Sequence, residues 1–194
     1  MRKIGVVCVF CGSSGAVAAP YREAARELGA GLAAAGIETV FGGGRVGLMG
    51  LLADAAVAAG GRVTGVIPVR LRDAELAHQG ISELVVVANM HERKRLMTER
   101  ADAFAVLPGG VGTLDEMFEA LSWRQLDLHQ KPIFLIDIAG YWRPLRALLG
   151  HLVEHGFARP ATLGLIRPVA SVAELLEALA QLPAAPMPVA TELL

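Results

Sequence analysis

The residues best suited to chemistry lie at 107–116, Leu-Pro-Gly-Gly-Val-Gly-Thr-Leu-Asp-Glu, where an apolar run breaks into glycines and a helix begins. Glycines let the backbone come close to a ligand, and a helix start presents unpaired N–H groups at the positive end of its dipole. The stretch therefore describes an anion cradle, with phosphate as its guest. Thr113 and Glu116, three apart, also match a capping box, and Pro-Gly-Gly alone is an ordinary turn. Asp115 and Glu116 occupy ground that a phosphate also favours, so a pure phosphate site gains nothing from the second carboxylate. Glu116 thus reads as reserved for chemistry beside the phosphate.

A second candidate group lies on the helix expected at 90–101, where Met90, Arg93, Lys94 and Met97 share one face at i, i+3, i+4, i+7 spacing. Two cations among methionines are unusual. One reading is that both snorkel from a core edge to solvent. The other follows from position: a helix after a strand's C-terminal end starts beside the ligand crevice of an open parallel sheet, where both cations could meet an anion. Residues 42–47, Gly-Gly-Gly-Arg-Val-Gly, match G-x-G-x-x-G between a strand and a helix, with Gly43 and Gly44 as candidate ligand-facing positions. A dinucleotide site also wants an acid at the end of the next strand, and 62–70 offers Pro68 and arginine instead. Neither glycine loop carries the Lys-Ser/Thr pair of a phosphate-loop NTPase. A backbone-lined nucleotide pocket remains, against the alternative of a plain tight turn.

The elements that must position these residues alternate along the chain. Apolar runs at 4–10, 37–41, 62–69, 83–88, 103–107 and 132–138 read as strands, with a short edge strand at 165–169 that contains Pro168. Helical spacing occupies 21–35, 48–59, 90–101, 113–128, 142–155 and 173–182, and Asn89 can cap the third of these. Residues 70–81, with Asp73, Glu75 and His78, show little periodicity and read as a solvated loop. The alternation predicts a doubly wound, Rossmann-like α/β fold, a mainly parallel sheet with helices on both faces. The loops after strands one, two and five, the first carrying Ser13 and Ser14, then gather at one rim. One nucleotide-binding domain is expected over 1–182, followed by a Pro-rich tail at 183–194.

Composition narrows the function classes. With 194 residues, 54% of them hydrophobic, the chain has ample material for a core. A formal net charge of −1 argues against a polybasic nucleic-acid binder, and no apolar run approaches membrane-spanning length, so a cytoplasmic protein is expected. Cys8 and Cys11 form C-x-x-C, but strand geometry points residues three apart to opposite faces, which argues for buried free thiols. The five histidines are scattered, and no His/Cys cluster has metal-ligand spacing. The only lysines are Lys3, Lys94 and Lys131, which leaves a pyridoxal-phosphate decarboxylase with few choices for its Schiff base.

Phe-Cys-Gly-Ser-Ser at 10–14, Gly-Gly-Gly-x-x-Gly-Leu-Met-Gly at 42–50, Met-His-Glu-Arg-Lys at 90–94 and Pro-Gly-Gly-x-Gly-Thr-x-x-Glu at 108–116 together resemble the LOG ("Lonely Guy") family. Trp123, Gln125, Leu126, His129 and Lys131-Pro132 are also in its style. The resemblance implies a cytokinin-activating phosphoribohydrolase, a type long labelled lysine decarboxylase. Such an enzyme hydrolyses the N-glycosidic bond of a nucleoside 5′-monophosphate to free base and ribose 5-phosphate. It implies Arg93 and Glu116 as the catalytic pair, with Gly109, Gly110, Gly112 and Thr113 on the phosphate and Glu75 on the substrate. Lys94, Val111, Met90, Gly43, Gly44 and Ser14 are the further candidates for the substrate site. No metal or cofactor is implied, and neither nucleic acid nor membrane is a partner; a homodimer is. Val111 stands where an aromatic is common, and Asn89 where an aspartate is common. A non-catalytic nucleotide-binding module, or a nucleosidase preferring AMP, stands as the alternative.

Overall fold

The computed structural model describes residues 4–74 and 76–182. Seven strands, β1 (Val6–Phe10), β2 (Glu38–Phe41), β3 (Val63–Pro68), β4 (Glu83–Val87), β5 (Ala103–Val106), β6 (Ile133–Ile136) and β7 (Ile166–Val169), form one parallel sheet in the order β4-β3-β2-β1-β5-β6-β7. Among the described residues six α-helices join them and a seventh follows β7: α1 (Ala19–Ala34), α2 (Gly47–Ala58), α3 (Val69–Asp73), α4 (Met90–Arg100), α5 (Val111–Gln125), α6 (Arg143–Glu154) and α7 (Val172–Gln181).

Successive strand residues alternate between two cores. Val7 and Val9 join α1, α2 and α7 on one face, while Cys8 and Phe10 join α4, α5 and α6 on the other. Cys8 and Cys11 accordingly fall in different cores, both buried and free. The strand order reverses between β1 and β5. In open α/β sheets the ligand crevice lies beyond the strand ends at such a switch point, and the glycine loops assemble there. Gly12 N donates to Pro108 O (3.1 Å), tying the loop after β1 to that after β5, and Leu48 N donates to Gly12 O (2.9 Å), tying in the start of α2.

Three local expectations change. Residues 70–81 are not simply a loop, since α3 makes a single turn too short for periodicity to reveal. The following segment is docked rather than solvated. Leu76 O accepts from Arg45 N (2.8 Å), His78 N donates to Gly43 O (2.9 Å), and buried His78 meets Asp54 at 3.0 Å. α5 begins at Val111, two residues before the predicted start, with Gly110 as its N-cap. Thr113 therefore lies inside the helix and no capping box forms. By contrast, Asn89 caps α4 as predicted, its Oδ1 accepting from Glu92 N at 2.9 Å. The predicted tail at 183–194 lies outside the described residues.

Candidate active site

Arg93 and Glu116 meet at the switch point. Arg93 leaves the first turn of α4, which follows edge strand β4, and its side chain crosses the ends of β3 and β2 to reach Glu116 on α5. Its Nε donates to Val66 O (3.1 Å), and its Nη2 donates to Gly42 O (3.3 Å) and lies 3.2 Å from Glu116 Oε1. Among the described residues Nη1 contacts only the Met90 sulfur, at 3.7 Å, so within them this edge of the fork keeps donor capacity for a ligand. Both side chains are only 9% exposed, which removes the snorkelling reading for Arg93. Gly42 is a glycine for this reason, because a Cβ there would sit 1.8 Å from Arg93 Nη2.

Burial pushes the Glu116 carboxyl from 4.5 up to about 7, although the Arg93 guanidinium pulls against that rise. The group is thus poised near neutrality, where a carboxylate is unusually able to exchange protons. A pH-dependent stability follows. Between about pH 4.5 and 7 the folded chain holds this proton more tightly than the unfolded chain, so ionising Glu116 destabilises the fold as pH rises. The contribution amounts to about 3 kcal/mol at most. Urea unfolding from pH 4.5 to 8 should show this falling component in the wild type and not in Glu116→Gln.

The cradle itself is the uncapped start of α5. As at any helix start the N–H groups of Val111, Gly112 and Thr113 have no intrahelical acceptor, and among the described residues no side chain caps them. Gly109 is demanded by packing, since a Cβ would lie 2.0 Å from Thr113 Oγ1. Gly110 and Gly112 are not: nothing lies within 4 Å of a Cβ at either position, and neither has positive φ. The chain leaves open room beside two glycines that its own packing does not need. At a helix start that room admits a ligand's close approach to the backbone.

Sequence reasoning missed Tyr141. Its hydroxyl donates to Gly109 O at 2.8 Å, and its ring packs edge-on against Tyr21 and Trp142. A trans peptide points its C=O and N–H in opposite directions. Fixing the Gly109 carbonyl on Tyr141 therefore aims the Gly110 N–H the other way. Two consecutive left-handed residues, Ala139 (φ 54°) and Gly140 (φ 74°), turn the chain to place Tyr141, and alanine holds that conformation at a cost of about 1–2 kcal/mol. Asp137 Oδ1 secures the turn by accepting from Trp142 N (2.8 Å).

The other predicted positions are distributed around this centre. Lys94, only 10% exposed, bridges α4 to α5 through Asp115 (3.1 Å) and Glu119 (2.6 Å). Burial opposes its charge, but the hydrogen bonds to Glu119 and Asp115 outweigh that and hold its pKa above the ordinary lysine value. Gly43 and Gly44 are buried beneath the 76–78 segment, with Gly44 bridged to Ala77. Ser14 is exposed at the rim and its hydroxyl accepts from Ala16 N (3.3 Å), a local turn. Met90 is exposed beside Arg93, and Val111 is 84% exposed. Glu75 lies outside the described residues.

A family model described as possible lysine decarboxylase matches residues 49–179. A protein of Oryza sativa subsp. japonica named probable cytokinin riboside 5′-monophosphate phosphoribohydrolase is 44% identical over 173 residues, covering 89% of this chain and 71% of its own. The cytokinin riboside 5′-monophosphate phosphoribohydrolase of Rhodococcoides fascians is 48% identical over 157 residues, covering 80% and 79%. Among solved structures, the molybdenum cofactor carrier protein of Chlamydomonas reinhardtii superposes with a TM-score of 0.71 at 23% identity, over 93% of this chain and 98% of that one. That last likeness concerns the fold alone.

Proposed function

The chain belongs to the possible lysine decarboxylase (LOG) family, and from that premise we propose that it hydrolyses the N-glycosidic bond of purine nucleoside 5′-monophosphates, N6-modified ones included. The products are free base and ribose 5-phosphate. One observation carries this reading: the buried Arg93–Glu116 pair stands beside a helix start whose open glycines exceed what packing requires.

The phosphate takes the N–H groups of Gly110 to Thr113, which sets C1′ of the ribose against Glu116. The C1′–N bond breaks with its electron pair passing to the base, through an oxocarbenium-like state. The Glu116 carboxylate stabilises that cation and accepts a proton from the water whose oxygen bonds to C1′; the proton then passes to the departing base. Arg93 cannot act as an ordinary proton donor at neutral pH, so its Nη1 edge serves by fixing the ribose or offsetting charge on the base. Lys94 spends donors on Asp115 and Glu119 and offers what remains to the substrate, alongside Glu75, Ser14, Met90, Gly43 and Gly44.

Both described lysines have other work. Lys94 is ion-paired, and Lys131 Nζ donates to Thr98 O (2.6 Å) and Glu99 O (3.3 Å) at the end of α4. Neither is free to form a Schiff base, which counts against decarboxylation.

The enzyme acts as a cytoplasmic homodimer. The exposed apolar residues Val111, Leu126 and Leu128 on and just beyond α5 support self-association, and no helix among the described residues is long and apolar enough to cross a membrane.

Chromatography of reactions with AMP, isopentenyladenosine monophosphate and adenosine tests the reading. Base should appear from the monophosphates and not from adenosine; tight AMP binding without base release would instead identify a binding module. Tyr141→Phe removes one hydrogen bond to the cradle, worth about 0.5–1.5 kcal/mol. KM for AMP should therefore rise about twofold to tenfold with kcat nearly unchanged. An unchanged KM would remove Tyr141 from the phosphate site.

A further inference from the structure

The last turn of α6 carries His151 and Glu154, and His155 is its C-cap, an H-x-x-E-H spacing among residues with no part in the nucleotide site. In a helix, positions i, i+3 and i+4 share one face. One ligand atom from each of the three lies within 4.8 Å of the other two. The imidazole rings approach to 4.0 Å between centroids.

Three further features fit a cation. His155 Nδ1 lies 3.0 Å from His151 O, and because a carbonyl only accepts, Nδ1 carries the proton and Nε2 keeps its lone pair. Metal-binding histidines are commonly oriented by such a bond from the other ring nitrogen to a carbonyl. Among the described residues no cation pairs with Glu154, so its charge is not already neutralised. α6 also ends here, and the negative end of its dipole favours positive charge.

We propose that His151, Glu154 and His155 form a surface site for a divalent transition-metal ion, with zinc as its test case. Zinc–nitrogen bonds of about 2.1 Å put tetrahedral ligands roughly 3.4 Å apart, a contraction that exposed side chains reach by small rotations. Two imidazoles select zinc, copper or nickel over magnesium. The same spacing occurs in metallopeptidases, but all three residues here are exposed. The assignment is therefore to metal binding alone.

Titration calorimetry of the full chain with zinc chloride tests this. The wild type should bind one equivalent in the micromolar range. The His151→Ala/His155→Ala protein should bind about tenfold more weakly or worse, Glu154→Gln should show a smaller loss, and magnesium chloride should give no heat. The variants alter exposed side chains, so unchanged melting temperature and base release would confirm that they are folded. Zinc affinity unaltered in the double variant, or no wild-type binding at millimolar zinc, would overturn the assignment.

Discussion

Glu116→Gln should lower kcat for base release from AMP by about a thousandfold, within the range removed with a general base or a transition-state charge. The amide keeps the shape of the side chain and can still accept from Arg93, but it can neither become negative opposite the ribosyl cation nor take a proton from water. Phosphate binding uses the backbone of Gly110 to Thr113, so AMP affinity should stay within a fewfold of wild type. The wild-type rate should also rise with pH through an inflection near 7, because burial has lifted the carboxyl to about that value and the ionised form is the active one. Quenched-flow or chromatographic rates from pH 5.5 to 8.5 measure this. A variant within tenfold of wild type would place the catalytic charge elsewhere.

Arg93→Ala should be damaging in two separable ways. It orphans the carbonyls of Val66 and Gly42 and opens a cavity, so urea unfolding should show a loss of about 2–4 kcal/mol. The loss is limited because Glu116, left without its guanidinium, can take up a proton. The second effect is on rate: removing the cation that lowers the Glu116 pKa shifts the rate inflection above 7. kcat/KM at pH 7 should fall by about a hundredfold or more and recover in part at pH 9. Arg93→Lys keeps the charge but not the fork that serves Val66, Gly42 and Glu116 together. It should preserve more stability than alanine while remaining impaired in rate. A pH profile unchanged in Arg93→Ala would mean that the pair does not operate as one unit.

Local sequence determined much of this protein. Apolar runs of strand length between helix-periodic stretches announced a parallel sheet, because a strand buried on both faces must be apolar throughout. Strand and helix identities were legible to within a few residues, and Asn89 declared itself as a cap. The types of the chemical residues were also visible: Glu116 as one carboxylate too many for a phosphate site, and Arg93 as a cation on a Met-lined face. Glycine runs marked where backbone comes close to something, though not to what. Gly42 yields to the Arg93 side chain, whereas Gly110 and Gly112 leave room.

The tertiary structure decided everything that depends on strand order. β5 lies beside β1, far from β4, so whether Arg93 could reach Glu116 was settled by the sheet's reversal and by no signal within either motif. The same holds for Tyr141, which meets Gly109 only because β6 neighbours β5. Lys94 looked as free as Arg93 until α5 supplied Asp115 and Glu119. The capping box failed because the helix starts two residues earlier than its side chains suggested. His151, Glu154 and His155 were local enough to be found by spacing, yet taking the histidines as scattered, with no His/Cys cluster at metal-ligand spacing, passed over a pair completed by a glutamate. The rest has one physical cause. Periodicity and capping act over a turn or two of chain, whereas burial, the carboxyl pKa it sets and the pairing of distant charges arise only once the layers close.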